Sequence, residues 1–411
     1  MRKVAIIGAG QSGMQLAFGL HKQGYGVTVF SDRTPEQIMN GRVSSSQFMF
    51  HDSLQNERDL RINFWEKECP PTDGISFSIP GPDGGKALYW AARLDHYGQS
   101  VDQRVKFAGW LVRFAGQGGK VVYKTAGVQD LEEFVKKFDL VIVATGKGEL
   151  NSLFPRDVEK SPFAKPMRAL ALTYVTGMTP RKGYTAVDFS LIPTVGEYFV
   201  FPAHSVTGPC HIMVFEGVPG GPMDCWSDVT TPQQHLQRSK EILDRLLPWE
   251  GERCRNIKLT DDLGILTGRF PPTVRKPVGK LPSGAVALGM ADAVVLNDPI
   301  TGQGSNTASK CAQIYLVRIL ERGNRPFDAA WMQQTFDSFW DYAQWVVSWT
   351  NSLLGPPPPQ VLQLMGAASQ IPPLASKIAN GFNNPPDYSP WWFDAAEADK
   401  LLGSFAPPRK G

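Results

Sequence analysis

Val4-Ala5-Ile6-Ile7 is a short β-branched apolar run that stops at Gly8, and the apolar positions after it change period. Met14, Leu16, Ala17 and Leu20 fill one helical stripe before Gly24, and residues 26–32 (GVTVFSD) return to a strand-like pattern. The sequence therefore predicts a β-turn-α-β unit. Runs at 119–125 and 139–146 predict further strands of the same sheet, and 286–292 a last one after a long excursion. A helix is expected over 305–320. Inside the excursion, 165–218 holds alternating runs such as EYFVFPAH and CHIMVFEG, which predict a largely antiparallel sheet. A helix follows at 231–247 after a Thr-Pro start signal. Beyond 327 the chain reads as helical and Trp-rich, broken by Pro356 to Pro359, a stiff connector. The stretch 41–50, GRVSSSQFMF, predicts a strand with Phe48 and Phe50 towards the core and Ser45, Gln47 and Met49 on the other face.

Composition narrows the function classes more than it selects one. The 42 basic and 39 acidic residues leave a net charge of +3 without long runs, which does not suggest a nucleic-acid binder or a polybasic membrane anchor. The five cysteines (69, 210, 225, 254 and 311) are scattered and never form C-x-x-C, so free thiols in a reducing compartment are expected. Gly8 breaks the N-terminal apolar run too early for a signal peptide. No stretch reaches the ~18 apolar residues of a membrane span, so the expected location is the cytoplasm. The six histidines show no H-x-x-x-H or H-E pairing, no G-x-S-x-G elbow is present, and a halogenase-type W-x-W-x-I-P is missing.

The chemistry is carried by two glycine-rich segments. Gly8-x-Gly10-x-x-Gly13 sits between a strand and a helix, where Gln11, Ser12 and the helix N-terminus can meet a pyrophosphate. That motif alone does not separate FAD from NAD. The ribose-binding acid is expected at the end of the second strand, in Ser31-Asp32-Arg33; Ser31 occupies the usual position, and Asp32 lies 19 residues beyond Gly13. The second segment, GMADAVVLNDPITGQGSNTASKCA at 289–312, decides for FAD. Asp292 can reach a ribityl hydroxyl, while Pro299, Gly302, Gly304 and Asn306 bring backbone N–H groups and a second helix start to a flavin's pyrimidine edge. At this point the chain resembles the FAD-dependent aromatic-hydroxylase superfamily. Where single-component members carry an Asp-Gly motif serving FAD and NADPH, this chain has Thr145-Gly146-Lys147. No second dinucleotide motif follows a strand, so the reduced flavin is expected from a separate NAD(P)H-dependent reductase.

With these motifs, SDRTPEQ (31–37), GRVSSSQFMF, SVDQRV (100–105), DLVIVATGK and DPITGQGSN in order, the chain resembles the styrene/indole monooxygenase family, the epoxidase components of two-component flavoprotein monooxygenases. The resemblance is strongest in the FAD half and weakest between about 165 and 270. It implies an α/β fold: a Rossmann-like FAD-binding domain, a β-sheet substrate domain and a C-terminal helical region. The expected division is 1–160 for the first part of the FAD domain (with 45–80 contributing to the substrate pocket), 161–270 for the substrate domain, 271–325 for the returning FAD segment and 326–411 for the helical region. The implied reaction is epoxidation of indole or styrene-like aryl alkenes with molecular oxygen through a C4a-hydroperoxyflavin. A homodimer is a compatible assembly.

By the same resemblance Arg42 and Val43 line the flavin, Arg104 faces its phosphates, and Val128, Thr145 and Gly146 complete the cofactor set. Residues 44–49 form the pocket floor. Styrene-type members carry Asn-x-Val-x-His there and indole-type members Ser-x-Gln-x-Met, so Ser45, Gln47 and Met49 match the indole type. Ser45, Gln47 and Pro299 are the catalytic candidates; Ser44, Met49, Ile75, Gly98 and Ile300 are the substrate-binding ones. Gly98 and Ser78 depart from the indole pattern. Two rival readings are a single-component NAD(P)H-dependent aromatic hydroxylase and a flavin carrier without turnover.

Overall fold

The computed structural model describes residues 1–146 and 148–405, so Lys147 of the Thr-Gly-Lys segment lies outside the described residues. Among these residues a six-stranded and an eight-stranded sheet carry the fold. In the first, Lys3–Ile7 is central and pairs in parallel with Gly26–Ser31 on one side and Leu140–Val143 on the other. Lys120–Tyr123 extends one edge, and Val286–Gly289 with the antiparallel Val278–Lys280 extends the other. Val4 to Ile7 and Val141 to Val143 are buried because helices cover both faces of a parallel sheet. The helix Gln11–Lys22 packs against Gly304–Arg322 so closely that a Cβ on Gly19 would stand 2.6 Å from the Leu316 side chain.

The second sheet runs in the order Lys258–Leu259, Ala169–Thr176, Gly208–Gly217, Gly196–Ser205, Ala186–Ile192, Thr72–Pro80 and Lys86–Gly98, with Ile265–Gly268 also pairing with Ala169–Thr176. It is antiparallel except where Thr72–Pro80 runs parallel to Ala186–Ile192. Strand alternation gives it two different faces. Val175, Tyr198, Val200, Met213 and Phe215 pack against Ile242 and Leu243 of the helix Pro232–Leu246. Tyr174, Phe199, Phe201, Ile212 and Val214 instead face Trp349, Leu364, Ile378, Tyr388 and Trp392 of the C-terminal helices. The prolines at 356–359 do interrupt this helical region, lying between Ala329–Ser352 and Pro359–Ala368. The cysteines are unpaired thiols. No described helix is long and apolar enough to cross a membrane.

One local expectation is corrected. Residues 42–48 form no strand; Met49 makes a single bridge to Gln99, and Phe50 caps the helix His51–Leu60. The serines explain why, since short hydroxyl side chains offer the backbone local partners that compete with a ladder. Ser45 Oγ accepts from the Gln47 N–H at 3.2 Å, and the Tyr174 hydroxyl donates to the Ser45 carbonyl at 2.7 Å.

Candidate active site

The three glycines of the first motif do three separable things. Gly8 has φ +118°, and a Cβ there would press the Ala144 backbone at 2.9 Å. A Cβ on Gly13 would stand 2.1 Å from the Gly8 carbonyl oxygen, so only glycine lets the helix meet the strand end. A Cβ on Gly10 would meet nothing within 4 Å among the described residues, which leaves that side of its backbone open to a ligand. The helix Gln11–Lys22 starts with no side-chain cap and no acid in its first turn, so its N–H groups remain available for an anion.

The second segment builds a matching terminus. Asp298 Oδ1 accepts from the Ile300 N–H at 3.1 Å and caps the short turn Pro299–Thr301, which closes at Gly302 with φ +64°. The helix Gly304–Arg322 then begins, again with no side-chain cap and no acid in its first turn, and Gly302 and Gly304 have open space around them. Between the two termini, a Cβ on Gly146 would meet the Asp292 side chain at 2.9 Å, so Thr145-Gly146 and Asp292 sit against each other. Two uncapped helix starts and a carboxylate thus gather at the C-terminal ends of parallel strands, where α/β sheets take nucleotides. This cradle suits the diphosphate, ribityl chain and polar ring edge of FAD.

Other cofactor candidates divide. Ser31 is buried and its hydroxyl donates to the Arg33 carbonyl at 2.6 Å, whereas Asp32 is exposed beside Arg33. Asp32 is therefore the carboxylate available at that strand end. The Gln11 amide points inward, donating to Glu57 at 2.9 Å in a buried group with Lys106, whose ammonium is 2.7 Å from Glu57. Arg42 is exposed, Val43 is buried with its N–H on the Leu263 carbonyl, and Val128 opens the helix Val128–Phe134 half-buried. Arg104, expected at the phosphates, is engaged by protein carboxylates. Its guanidinium forms paired bonds with Asp102 and Asp261 at 2.8–3.0 Å and reaches the Gly41 carbonyl at 3.4 Å. Burial opposes its charge, but those two carboxylates hold its pKa above the usual arginine value.

The 42–50 segment is fastened from several sides. Asn306, 2% exposed, donates to the Phe48 carbonyl at 2.9 Å and accepts from the Phe50 N–H at 2.8 Å. It thus ties this segment to the second glycine-rich turn, a structural duty beside its expected cofactor contact. The Gln47 amide meets the Tyr174 hydroxyl at 3.0 Å, Ser44 Oγ donates to Gln103 at 2.7 Å, and the Lys106 ammonium sits 3.1 Å from Met49 Sδ. Gly98 seats the Phe48 ring, which a Cβ would meet at 2.5 Å.

An aromatic cavity opens on the C-terminal-helix face of the second sheet. Phe77, Trp90, Phe189, Trp349, Phe382 and Trp392 wall it, and it holds about 750 Å³ of empty volume, part of it open to solvent. The structure brings Ile75 and Ile300 together in its lining, but places Ser44, Ser45, Gln47, Met49 and Gly98 outside it. Ile300 belongs to the capped turn that leads into the second helix start, so the cavity adjoins the cofactor cradle. The sequence reading missed its aromatic walls; the concentration of tryptophans beyond 327 was their one visible signal.

Residues 146–253 match the family described as "Styrene monooxygenase A putative substrate binding domain". Styrene monooxygenase StyA of Pseudomonas sp. is 28% identical over 393 residues, 93% of each chain, and StyA of Pseudomonas fluorescens aligns equally well. The chain thus resembles styrene monooxygenases over most of its length. Solved structures with the same fold include the flavin-dependent brominase Bmp2, with TM-score 0.66, 13% identity and 98% coverage of both chains. Another is p-nitrophenol 4-monooxygenase PnpA of Pseudomonas putida DLL-E4, with TM-score 0.61, 12% identity and 98% coverage of both.

Proposed function

We propose that this chain is a styrene monooxygenase-type protein, the oxygenase component of a two-component cytoplasmic system. It epoxidises indole or styrene-like aryl alkenes, and a separate NAD(P)H-dependent flavin reductase supplies its reduced FAD. FAD and molecular oxygen are implied by the monooxygenase relatives. The finer reading is supported by one observation above others: an aromatic cavity that shares Ile300 with the turn opening the second helix start.

Reduced FAD, when bound, would supply the two electrons that activate molecular oxygen; the chain's own residues bind, orient and shield. The helix starts at Gln11 and Gly304 favour negative charge, Gly10 admits a diphosphate, and Asp32 and Asp292 are placed for sugar and ribityl hydroxyls. Trp349, Trp392 and Phe189 hold a flat apolar ring by stacking and keep water from it. We assign 1–160 and 271–325 to the cofactor side, apart from the hairpin within 72–98, which we assign with 161–270 to the substrate side; the helices within 329–404 close the cavity.

The test supplies any flavin reductase with NADH and FAD, then compares indole with styrene. Epoxide-derived products support the reading, whereas hydrogen peroxide without product from either substrate overturns the substrate class. Fast reduction of bound FAD by NAD(P)H alone would instead favour a single-component hydroxylase. The indole-type match of Ser45, Gln47 and Met49 is tested by Ser45→Asn with Gln47→Val, which should shift preference towards styrene. An unchanged ratio would mean that these residues serve only to hold the segment.

A further inference from the structure

Glu197 and Glu216 stand directly opposite each other on adjacent antiparallel strands. Strand alternation puts both on the cavity face, and Glu197 is part of the cavity lining. Like charges so placed repel, yet Glu216 is fully buried and Glu197 nearly so. Arg168 engages only one of them. Its guanidinium grips Glu197 at 2.7 and 3.0 Å and gives its remaining N–H groups to the carbonyls of Met167, Leu353 and Leu354. Neither oxygen of Glu216 meets an N–H or O–H donor. The group it faces is Asp298, 2% exposed, whose Oδ1 caps the Pro299–Thr301 turn.

Three carboxyls are therefore sealed together with one cation, Arg168. A buried carboxylate without a donor is not tenable, and two carboxyls in contact attract only when one carries a proton. We propose that Glu216 and Asp298 share one proton, and that this carboxyl–carboxylate bond positions the Pro299–Thr301 turn against the aromatic cavity. Glu216 and Asp298 are positioning residues acting through Ile300, and the inference rests on reading that cavity as the substrate site. Burial and the neighbouring carboxylates push Glu216 upward, and burial does the same to Asp298. The folded chain thus keeps a proton that an unfolded glutamate, with a pKa of about 4.3, has released at neutral pH. Stability consequently falls as pH rises until the couple lets that proton go.

The deciding measurement needs neither substrate nor turnover. Infrared spectroscopy of the full chain at neutral pH should show a protonated-carboxyl C=O stretch, and Glu216→Gln and Asp298→Asn should each remove it. Glu216→Gln mimics the protonated acid, so it should fold, keep its FAD affinity in a fluorescence titration, and flatten the alkaline fall of the denaturation midpoint. Glu216→Leu cannot offer the bond to Asp298 and should raise KM for the aryl alkene with kcat little changed, an effect that Glu216→Gln reverses. A carboxyl band that survives both amide variants, or its absence from the unmodified chain, overturns the proposal. Both results are independent of whether indole or styrene is oxidised, so failure here is distinguishable from failure of the functional reading.

Discussion

Replacing Asn306 with alanine strips the 42–50 segment of its tie to the second glycine-rich turn. The wild-type amide donates to the Phe48 and Gly302 carbonyls and accepts from the Phe50 N–H, and the side chain is 2% exposed. In Asn306→Ala the Phe48 carbonyl and the Phe50 N–H lose this partner in a buried site. An unsatisfied buried group costs about 1–3 kcal/mol, so the pair should cost roughly 2–6 kcal/mol. Total stability is typically only about 5–15 kcal/mol, so the loss should be plain in a urea denaturation midpoint followed by circular dichroism. Asn306→Asp sharpens the test. Its carboxylate can still accept from Phe50 but meets two carbonyl oxygens where the amide donated, which raises its folded pKa. Stability should therefore recover as pH falls and the acid becomes a donor. If Asn306→Ala lies within about 0.5 kcal/mol of the wild type and Asn306→Asp shows no recovery in acid, that side chain does not hold the segment.

Lys106→Met leaves Glu57, fully buried, with Gln11 as its remaining side-chain donor and should cost about 3–5 kcal/mol by denaturation; adding Glu57→Gln should restore most of it. Gly10→Ala should fold normally, because its Cβ meets nothing, yet weaken FAD binding in a fluorescence titration, whereas Gly13→Ala should unfold or lose expression through its 2.1 Å clash with Gly8. His235 is pushed down to about 4 by burial, tilted against Trp226 and bonded to Thr173 Oγ1. The unfolded chain binds its proton more readily, so stability should rise with pH between about 4 and 6.5, and His235→Gln should reduce that slope.

What the sequence made legible was what local geometry forces. Gly8, Gly13 and Gly302 are glycines because a Cβ or a negative φ would not fit, and those constraints act within a few residues. The 42–50 segment misled because Phe48 and Phe50 alternate as a strand would, while its polar partners, Tyr174 and Asn306, lie far along the chain. The aromatic cavity was hidden for a similar reason. Its walls come from residues 75–90, 189–197 and 300 onwards, and no spacing rule joins them. Arg104 was expected at the phosphates by resemblance, and its paired bonds with Asp102 and Asp261, the latter 157 residues away, were not visible in any local pattern.

The parallel pairing of Thr72–Pro80 with Ala186–Ile192 bears on how such enzymes can be recombined. The contiguous stretch 146–253 looks like a portable cassette, but it lacks the hairpin at 72–98 and the short strands at 258–259 and 265–268 that complete its sheet. A chimera exchanging that stretch alone would give Ala186–Ile192 a neighbour selected for a different partner. A poor fit there would expose an unpaired edge to other chains. Swaps intended to change substrate range should therefore carry both pieces, 72–98 together with 146–268, as one inheritance unit.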